Sequence, residues 1–296
     1  MLACSAGPVA WSRLAIRVSN MTTFRRAAVA GSWYPATASA LEAAVDAHLA
    51  RVEQHDVDGD LVALVAPHAG LMYSGPVAAH AYSLLKTRAY DVAILIGPSH
   101  FVGFDGIVVC ASGAFETPLG AAEIDADVAA SLLRHTSAIK VDTRPHAREH
   151  SLEMQLPFLR RVSPTTKIVP LLMGYQTAAT ADALASGIAE AVRGKSALLV
   201  ASTDLSHYHD AKTAQRLDSV VIDCVARLAP EDLQGALGRQ PDHACGGGPT
   251  VAVMKAAKAL GATTSRVLNY ADSGDVSGDK SSVVGYMAAA FCRPAA

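Results

Sequence analysis

Three histidines in this sequence each follow a short apolar run. His68 comes after LVALVA, His100 after DVAILIG, and His207 after ALLVAS, and each lies in a short polar turn. Buried strands of a parallel sheet have this pattern, and their carboxyl ends meet at one edge of the sheet, where ligands bind. A single histidine in such a turn is most often structural, but three in equivalent positions predict a site. Because imidazole is a common metal ligand, we expect a metal site.

Cys245 is the candidate for a sulfur ligand. It precedes a run of three glycines and a predicted helix that begins at Pro249. A thiol near a helix N-terminus is expected to have a lowered pKa and to favour the thiolate, the form that binds metals. Two imidazoles and one thiolate leave open coordination positions, and this donor set suits Zn²⁺, Cu or Fe. The alternative is a small buried residue in a glycine turn.

Other polar residues are candidates for proton transfer. Asp204 lies three residues before His207, so it could orient this imidazole, share its proton transfer or simply cap the turn. His150 and Glu153 open a predicted helix, where an acidic residue is favoured by the helix dipole. An acid/base role for His150 is the alternative.

A substrate pocket is predicted beside these groups. Its candidate residues in the first part of the chain are Trp33, Tyr34 and Glu153. For the two aromatic residues the alternative is ordinary packing, because both lie between a glycine and a proline.

The composition indicates a globular protein of the α/β class. The chain has 296 residues, of which 51% are hydrophobic and 18% charged, and its net charge is −2. No long basic run suggests a nucleic-acid partner, and no apolar run approaches the roughly 20 residues of a membrane span. Five scattered cysteines favour reduced thiols and a cytoplasmic location. We expect a disordered extension over residues 1–24 and one domain over 25–296, with translation starting at Met1 or Met21.

Strands alternate with helices along the chain, which predicts a mainly parallel central sheet with helices on both faces. The predicted strands are Leu61–Ala66, Asp91–Gly97, Gly106–Ala111, Lys167–Met173, Ala197–Ser202, Arg266–Asn269 and Ser282–Phe291. The predicted helices are Ala38–Arg51, Pro76–Leu85, Asp125–His135, Ser151–Val162, Thr180–Val192, Ala211–Leu228, Pro230–Leu237 and Pro249–Leu260. The motifs of serine hydrolases and of P-loop nucleotide hydrolases are absent from the sequence.

Taken together, the motifs resemble those of the Memo family, known in prokaryotes as AmmeMemoRadiSam system protein B. The similarity runs from about residue 26 to residue 291, and its segments occur in the family's order. They are AGSWYP, APHAG, GPSH, EHSLE, STDLSH, CG at Cys245 and LNY at Tyr270. The resemblance implies a fold shared with the LigB-type class III extradiol dioxygenases, which bind non-haem Fe(II) through two histidines and a glutamate.

Carried over by motif, the resemblance implies that His68, His100 and Cys245 bind the metal. It places Asp204 and His207 beside them, and it adds Tyr270 to the pocket residues. A cysteine in place of the glutamate argues against aromatic ring cleavage, because a thiolate is softer and is itself oxidisable.

We therefore expect a metal-dependent oxidoreductase that contains Fe(II), with Cu or Zn as alternatives. The other hypotheses are a zinc-dependent hydrolase and a non-catalytic module that binds a peptide or a radical-SAM partner protein. Small-molecule or peptide ligands are expected, and nucleic acid and membrane are not.

Overall fold

The computed structural model describes residues 24–53 and 57–295. The predicted extension over residues 1–24 lies outside the described residues except for Phe24, which is part of a short strand rather than of a disordered segment. The domain boundary at residue 25 stays a prediction.

The described chain forms one α/β domain, as predicted. Its strands are β1 (Phe24–Arg25), β2 (Asp60–Ala66), β3 (Val92–Pro98), β4 (Ile107–Val109), β5 (Ala114–Phe115), β6 (Ala122–Glu123), β7 (Ile139–Val141), β8 (Lys167–Met173), β9 (Ala197–Ser202), β10 (His207–His209), β11 (Thr264–Asp272) and β12 (Val283–Arg293). Its helices are α1 (Ala38–Leu49), α2 (Leu71–Ser83), α3 (Ala126–His135), α4 (Leu156–Val162), α5 (Ala178–Ala191), α6 (Ala211–Ala226), α7 (Pro230–Arg239), α8 (Gly247–Ala259) and α9 (Gly274–Ser277).

The large sheet has a parallel centre. Its strand order is β10-β12-β2-β9-β3-β8-β4-β7, with β11 also paired to β12. The four central strands β2, β9, β3 and β8 are parallel, whereas β12 pairs antiparallel with β2, and β4 antiparallel with β8. β9 therefore lies between β2 and β3, so the carboxyl ends of these three strands are neighbours.

Helices cover both faces of this sheet because the central strands are apolar on both sides. In β3, Val92, Ile94 and Ile96 belong to the core that packs on α3, α5 and α8. The intervening Ala93 and Leu95 belong to the core under α1, α2 and α4. None of the helices in the described part of the chain has the length and apolarity needed to cross a membrane.

Most predicted helices differ from the structure by one or two residues at their ends, and two differ by more, both next to prolines. α2 begins at Leu71, not at Pro76, so Pro76 lies in the second turn. There it removes only the hydrogen bond to the carbonyl of Met72, which is an exposed residue. The predicted helix Ser151–Val162 is shorter, with a 3₁₀ turn at Glu153–Gln155 before α4. Pro157 lies in the first turn of α4, where proline is favoured because an N–H there has no partner within the helix, so α4 begins at Leu156.

Candidate metal site

His68, His100 and Cys245 converge at the carboxyl edge of the sheet. His68 follows β2, His100 follows β3, and Cys245 lies just before α8. Their ligating atoms all lie within 4.8 Å of one another, so they form a group that could hold a metal ion. The His68 residue is 1% exposed and the His100 side chain 27% exposed. The group is therefore buried on the His68 side and accessible on the His100 side.

The hydrogen bonds of His68 determine which ring nitrogen carries the proton. Its Nδ1 lies 2.9 Å from Ser202 Oγ. That hydroxyl donates its single hydrogen to the carbonyl of Ser151 at 2.6 Å, and it accepts from the Gln155 amide at 2.7 Å. Since its only hydrogen is committed, Ser202 accepts from His68 Nδ1–H. The Nε2 lone pair is then free, and Nε2 lies 3.2 Å from Cys245 Sγ.

His100 is fixed in the same way by a carboxylate. Its Nδ1 lies 2.9 Å from Glu149 Oε1, and its backbone N–H donates to Glu149 Oε2 at 2.6 Å. The backbone N–H groups of His150 and Ser151 also donate to Glu149 Oε1, both at 2.9 Å. Burial alone would raise the pKa of Glu149, but the hydrogen bonds from His100 and Ser151 lower it to about 2. A carboxylate that orients a histidine is the usual arrangement behind a metal-binding imidazole.

The thiol of Cys245 is held over the turn that follows β9. Its Sγ lies 3.4 Å from the backbone nitrogen of Asp204, and its own N–H donates to the Asp204 carbonyl. The lowered thiol pKa expected from the helix N-terminus is wrong for the metal-free protein. Burial, reinforced by the charge of Asp204, raises the pKa of this thiol. A bound cation would reverse this effect.

Asp204 contacts His68 and not His207. One carboxylate oxygen accepts the backbone N–H of His68 at 2.7 Å. Burial raises the pKa of Asp204 to about 7, although the hydrogen bonds from His68 and Ala69 oppose the shift. The idea that Asp204 orients the His207 ring is therefore wrong, because His207 Nδ1 donates instead to the Leu205 carbonyl at 2.8 Å.

His207 nevertheless presents its Nε2 lone pair, as His68 does. Burial lowers its pKa, which keeps the ring neutral at pH 7. The loop that carries it is anchored on α6, where the buried carboxylate of Asp218 accepts from the Ser206 N–H and from the Tyr270 hydroxyl, at 2.9 and 2.8 Å. Tyr270 thus supports the His207 loop, and its hydroxyl is committed to Asp218. This arrangement does not fit a role in binding substrate.

His150 and Trp33 form an aromatic wall beside His100. The His150 ring stacks on the His100 ring at a centroid distance of 4.5 Å and an angle of 16°, and the Trp33 ring lies 4.3 Å from His150. Burial lowers the pKa of His150 to about 4, so this ring is neutral at pH 7. His100, Glu149 and His150 form a second group of potential ligands that shares His100 with the first. Trp33 is 36% exposed, and its place in a substrate pocket stays a prediction.

Tyr34 and Glu153 lie behind the site and serve the fold. Glu153 is completely buried, and its carboxylate accepts from the Arg25 guanidinium, from the backbone N–H groups of Ala28 and Val29, and from the Tyr34 hydroxyl at 2.6 Å. With its oxygens occupied by these donors, Glu153 attaches the segment before α1 to the domain. We therefore assign Glu153 and Tyr34 a structural role in place of the predicted pocket role.

Three residues of the site were not singled out from the sequence: Glu149, Gln155 and Ser202. Glu149 directly precedes His150, just before the predicted helix Ser151–Val162. Ser202 is the last residue of β9 and looks like the end of an apolar run. The signal that could have identified them is their position next to predicted site residues.

Comparison with known proteins agrees with the motifs. A family model described as Memo-like protein matches residues 25–290. A MEMO1 family protein of Methanothermobacter thermautotrophicus is 38% identical over 275 residues, which cover 88% of this chain and 98% of the relative. A MEMO1 family protein of Methanopyrus kandleri is 37% identical over 280 residues, which cover 91% and 99%.

Among solved structures, an uncharacterized protein from Escherichia coli K12 has a similar fold, with a TM-score of 0.50 and 16% identity over 77% of this chain and 99% of that chain. At this identity the likeness concerns the fold alone. The match of the family model over nearly the whole described chain, and relatives at this identity over nearly their full length, show that the chain belongs to the Memo family.

Proposed function

We propose that this protein is a metal-dependent oxidoreductase with a mononuclear non-haem site of the dioxygenase-like type, in which His68, His100 and Cys245 hold Fe(II). The observation that carries the proposal is the hydrogen bonding of the two imidazoles. Each Nδ1 is committed to a protein acceptor, and each Nε2 lies in a group that includes a thiol and spans no more than 4.8 Å. Neutral imidazoles with a free Nε2 are the form that binds metals.

The donor set also fits the proposed chemistry. Two nitrogens and one sulfur leave open coordination positions, which a catalytic metal requires and a closed structural site lacks. When bound, Fe(II) would supply one-electron chemistry and sites for exchangeable ligands; copper is the other redox metal that thiolate and imidazole favour.

The chain's own groups supply the proton chemistry. His207 is neutral at pH 7 and its Nδ1 is committed to the Leu205 carbonyl, so its Nε2 can accept a proton from a substrate. Asp204 contacts two of the proposed ligands: its carboxylate accepts the His68 backbone N–H at 2.7 Å, and its backbone nitrogen lies 3.4 Å from Cys245 Sγ. His150 stacks on one face of the His100 ring, and Trp33 packs against His150.

The test is metal content together with activity. The protein is purified anaerobically, its metals are quantified, and oxygen consumption is followed with ascorbate as the reductant. We expect about one iron per chain in the wild type and loss of the metal in Cys245→Ala. The Cys224→Ala variant is the matched control, because Cys224 is a buried free thiol on α6 that is not part of the metal group. A wild type without bound metal, or equal metal in both variants, would contradict the proposal.

A zinc-dependent hydrolase is the second candidate, and one observation favours it. The buried carboxylate of Asp204 accepts the His68 backbone N–H at 2.7 Å, so a candidate general base for a zinc-bound water lies next to one of the ligands. Stoichiometric zinc after growth with excess iron, without oxygen consumption, would support this function. A protein that binds metal but shows neither activity would instead support the non-catalytic, partner-binding hypothesis.

A further inference from the structure

One short segment of the chain, residues 149–155, reaches the loops of both ligand histidines. At its start, Glu149 accepts hydrogen bonds from the ring and the backbone of His100. At its end, Gln155 is completely buried, and its amide hydrogen-bonds to groups that surround His68. Because this one segment contacts both loops, it can set where the two imidazoles lie relative to each other.

The Gln155 amide holds His68 at two points. Its nitrogen donates to the carbonyl of Pro67, the residue before the ligand, at 3.1 Å. It also donates to Ser202 Oγ at 2.7 Å, and this oxygen accepts the proton of the His68 ring. An amide nitrogen carries two hydrogens, one for each of these acceptors. Gln155 therefore acts both on the peptide that leads into the ligand and on the hydroxyl that orients its ring.

The orientation of this amide is fixed by the core. Gln155 Oε1 accepts from the buried Tyr82 hydroxyl at 2.9 Å, and the Tyr82 ring stacks on Phe158 at a centroid distance of 5.4 Å. An amide turned the other way would place its oxygen against the Pro67 carbonyl, which has no hydrogen to donate. Both donors of the amide are therefore directed towards the His68 loop.

The segment is also fitted closely to the end of β3. Ser151 Oγ donates to the Pro98 carbonyl at 2.9 Å. A Cβ on Gly97 would lie 2.8 Å from the same Ser151 oxygen and 2.9 Å from Leu152 Cδ2, so a side chain there would displace the segment. On the β9 side, the Ser151 carbonyl accepts from Ser202 at 2.6 Å. Contacts with both strands leave the segment little freedom to shift.

We propose that Gln155 is a positioning residue for the metal ligand His68, as Glu149 is for His100. By holding the Pro67 carbonyl and Ser202 Oγ, it keeps the proton of the His68 ring on Nδ1 and the Nε2 lone pair directed at the other ligands. That His68 binds a metal rests on the proposed function, whereas the tautomer of its ring can be measured in the metal-free protein.

The first readout is this tautomer, obtained from the ¹⁵N chemical shifts of the His68 ring nitrogens by NMR of metal-free protein. We expect the proton on Nδ1 in the wild type. Gln155→Met has a similar length but no donor, so the Ser202 hydroxyl is released, can turn its hydrogen towards Nδ1, and both tautomers should appear. A wild-type ring with its proton on Nε2, or a single Nδ1–H tautomer in the variant, would overturn the proposal.

The second readout is the affinity for Zn²⁺, measured by competition with a chromophoric chelator. Gln155→Met should bind Zn²⁺ about 10- to 100-fold more weakly, which is the effect of losing the partner of a ligand. The matched control is Tyr90→Phe, because the Tyr90 hydroxyl donates to the Leu61 carbonyl at 2.8 Å, at the opposite end of the strand that leads to His68. Its affinity should stay within about threefold of the wild type. An equal loss in both variants, or no loss in Gln155→Met, would contradict the positioning role.

Should Gln155→Met fail to fold, Ser202→Ala carries the tautomer test, because it removes the hydroxyl through which the amide acts on the ring. His68 should then lose its single Nδ1–H tautomer, and a ring that keeps it would overturn the proposal. The two proposals can fail separately. A wild type that binds no metal contradicts the proposed function, and the NMR measurement alone then decides the role of Gln155.

Discussion

Replacing Glu149 with glutamine tests the metal site through a residue that does not itself bind the metal in our proposal. The carboxylate is 2% exposed and accepts four hydrogen bonds, three at Oε1 and one at Oε2. Glutamine has the same shape but only one oxygen. The amide nitrogen is least unfavourable at the Oε2 position, where it meets the backbone N–H of His100 and nothing else.

Two effects follow from that one change. The His100 N–H loses its acceptor and faces another donor, which costs about 1–3 kcal/mol of folding free energy in a buried position. The His100 ring keeps an acceptor for Nδ1–H, but a neutral one, which makes the imidazole a weaker and less rigidly oriented ligand. Loss of such a partner lowers metal affinity by about 10- to 100-fold.

The assay is a competition titration of Fe(II), or Zn²⁺ as a redox-inert substitute, against a chromophoric chelator, with urea denaturation measured in parallel. Glu190→Gln is the control, because Glu190 is a surface carboxylate paired with Arg193 and should leave metal affinity unchanged. If Glu149→Gln is folded at the assay temperature and binds the metal within about threefold of the wild type, our reasoning on the role of this carboxylate is refuted.

Three further predictions concern the fold that supports the site. Burial lowers the pKa of His146 to about 4, so the free energy of unfolding should fall as the pH drops from 6.5 towards 4. In urea denaturation, His146→Leu should reduce that fall by about 3 kcal/mol. An unchanged pH dependence in the variant would argue against this role of His146. Glu153→Gln leaves the buried Arg25 charge uncompensated and should lower the free energy of unfolding by about 3–5 kcal/mol; a loss below about 1 kcal/mol would contradict the structural role of Glu153. Gly285→Ala should place a Cβ against the Asp218 carboxylate and reduce the melting temperature, and a variant as stable as the wild type would show that this contact is looser than described.

The strands at the site were predictable from the sequence because parallel strands buried on both faces are continuous apolar runs. β8 and β9 have the predicted bounds, and β2 and β3 differ by one residue at their ends. The two-residue strands β1, β5 and β6 were missed, since so few residues show no periodicity.

The sequence does not show which of two nearby acidic residues lies at the site. Glu149 and Glu153 both flank His150, and the sequence-based prediction placed Glu153 near the site. The structure places Glu149 there because the segment turns sharply after His150, so that its own N–H groups fold around the Glu149 carboxylate. Side-chain periodicity carries no information on such a turn.

The burial of the Cys245 thiol could likewise not be predicted from the sequence. The prediction for Cys245 considered the helix N-terminus alone, whereas the pKa depends on how much water the fold removes from the thiol. The strand-end histidines were identified by type and position, but the partner of each Nδ1 depends on contacts between distant parts of the chain, such as His68 with Ser202.

The position of β9 between β2 and β3 has a consequence for biosynthesis. His68 and His100 leave the ribosome early, but the strands that carry them, β2 and β3, are not adjacent in the sheet. In the finished sheet β2 and β3 are about 10 Å apart, with β9 between them. Ser202 and Asp204, which hold His68, arrive only with β9, and the Cys245 thiol arrives later still. A nascent chain thus carries two histidines with neither their spacing nor their third partner established. We expect the metal to enter the completed protein after release and not the growing chain.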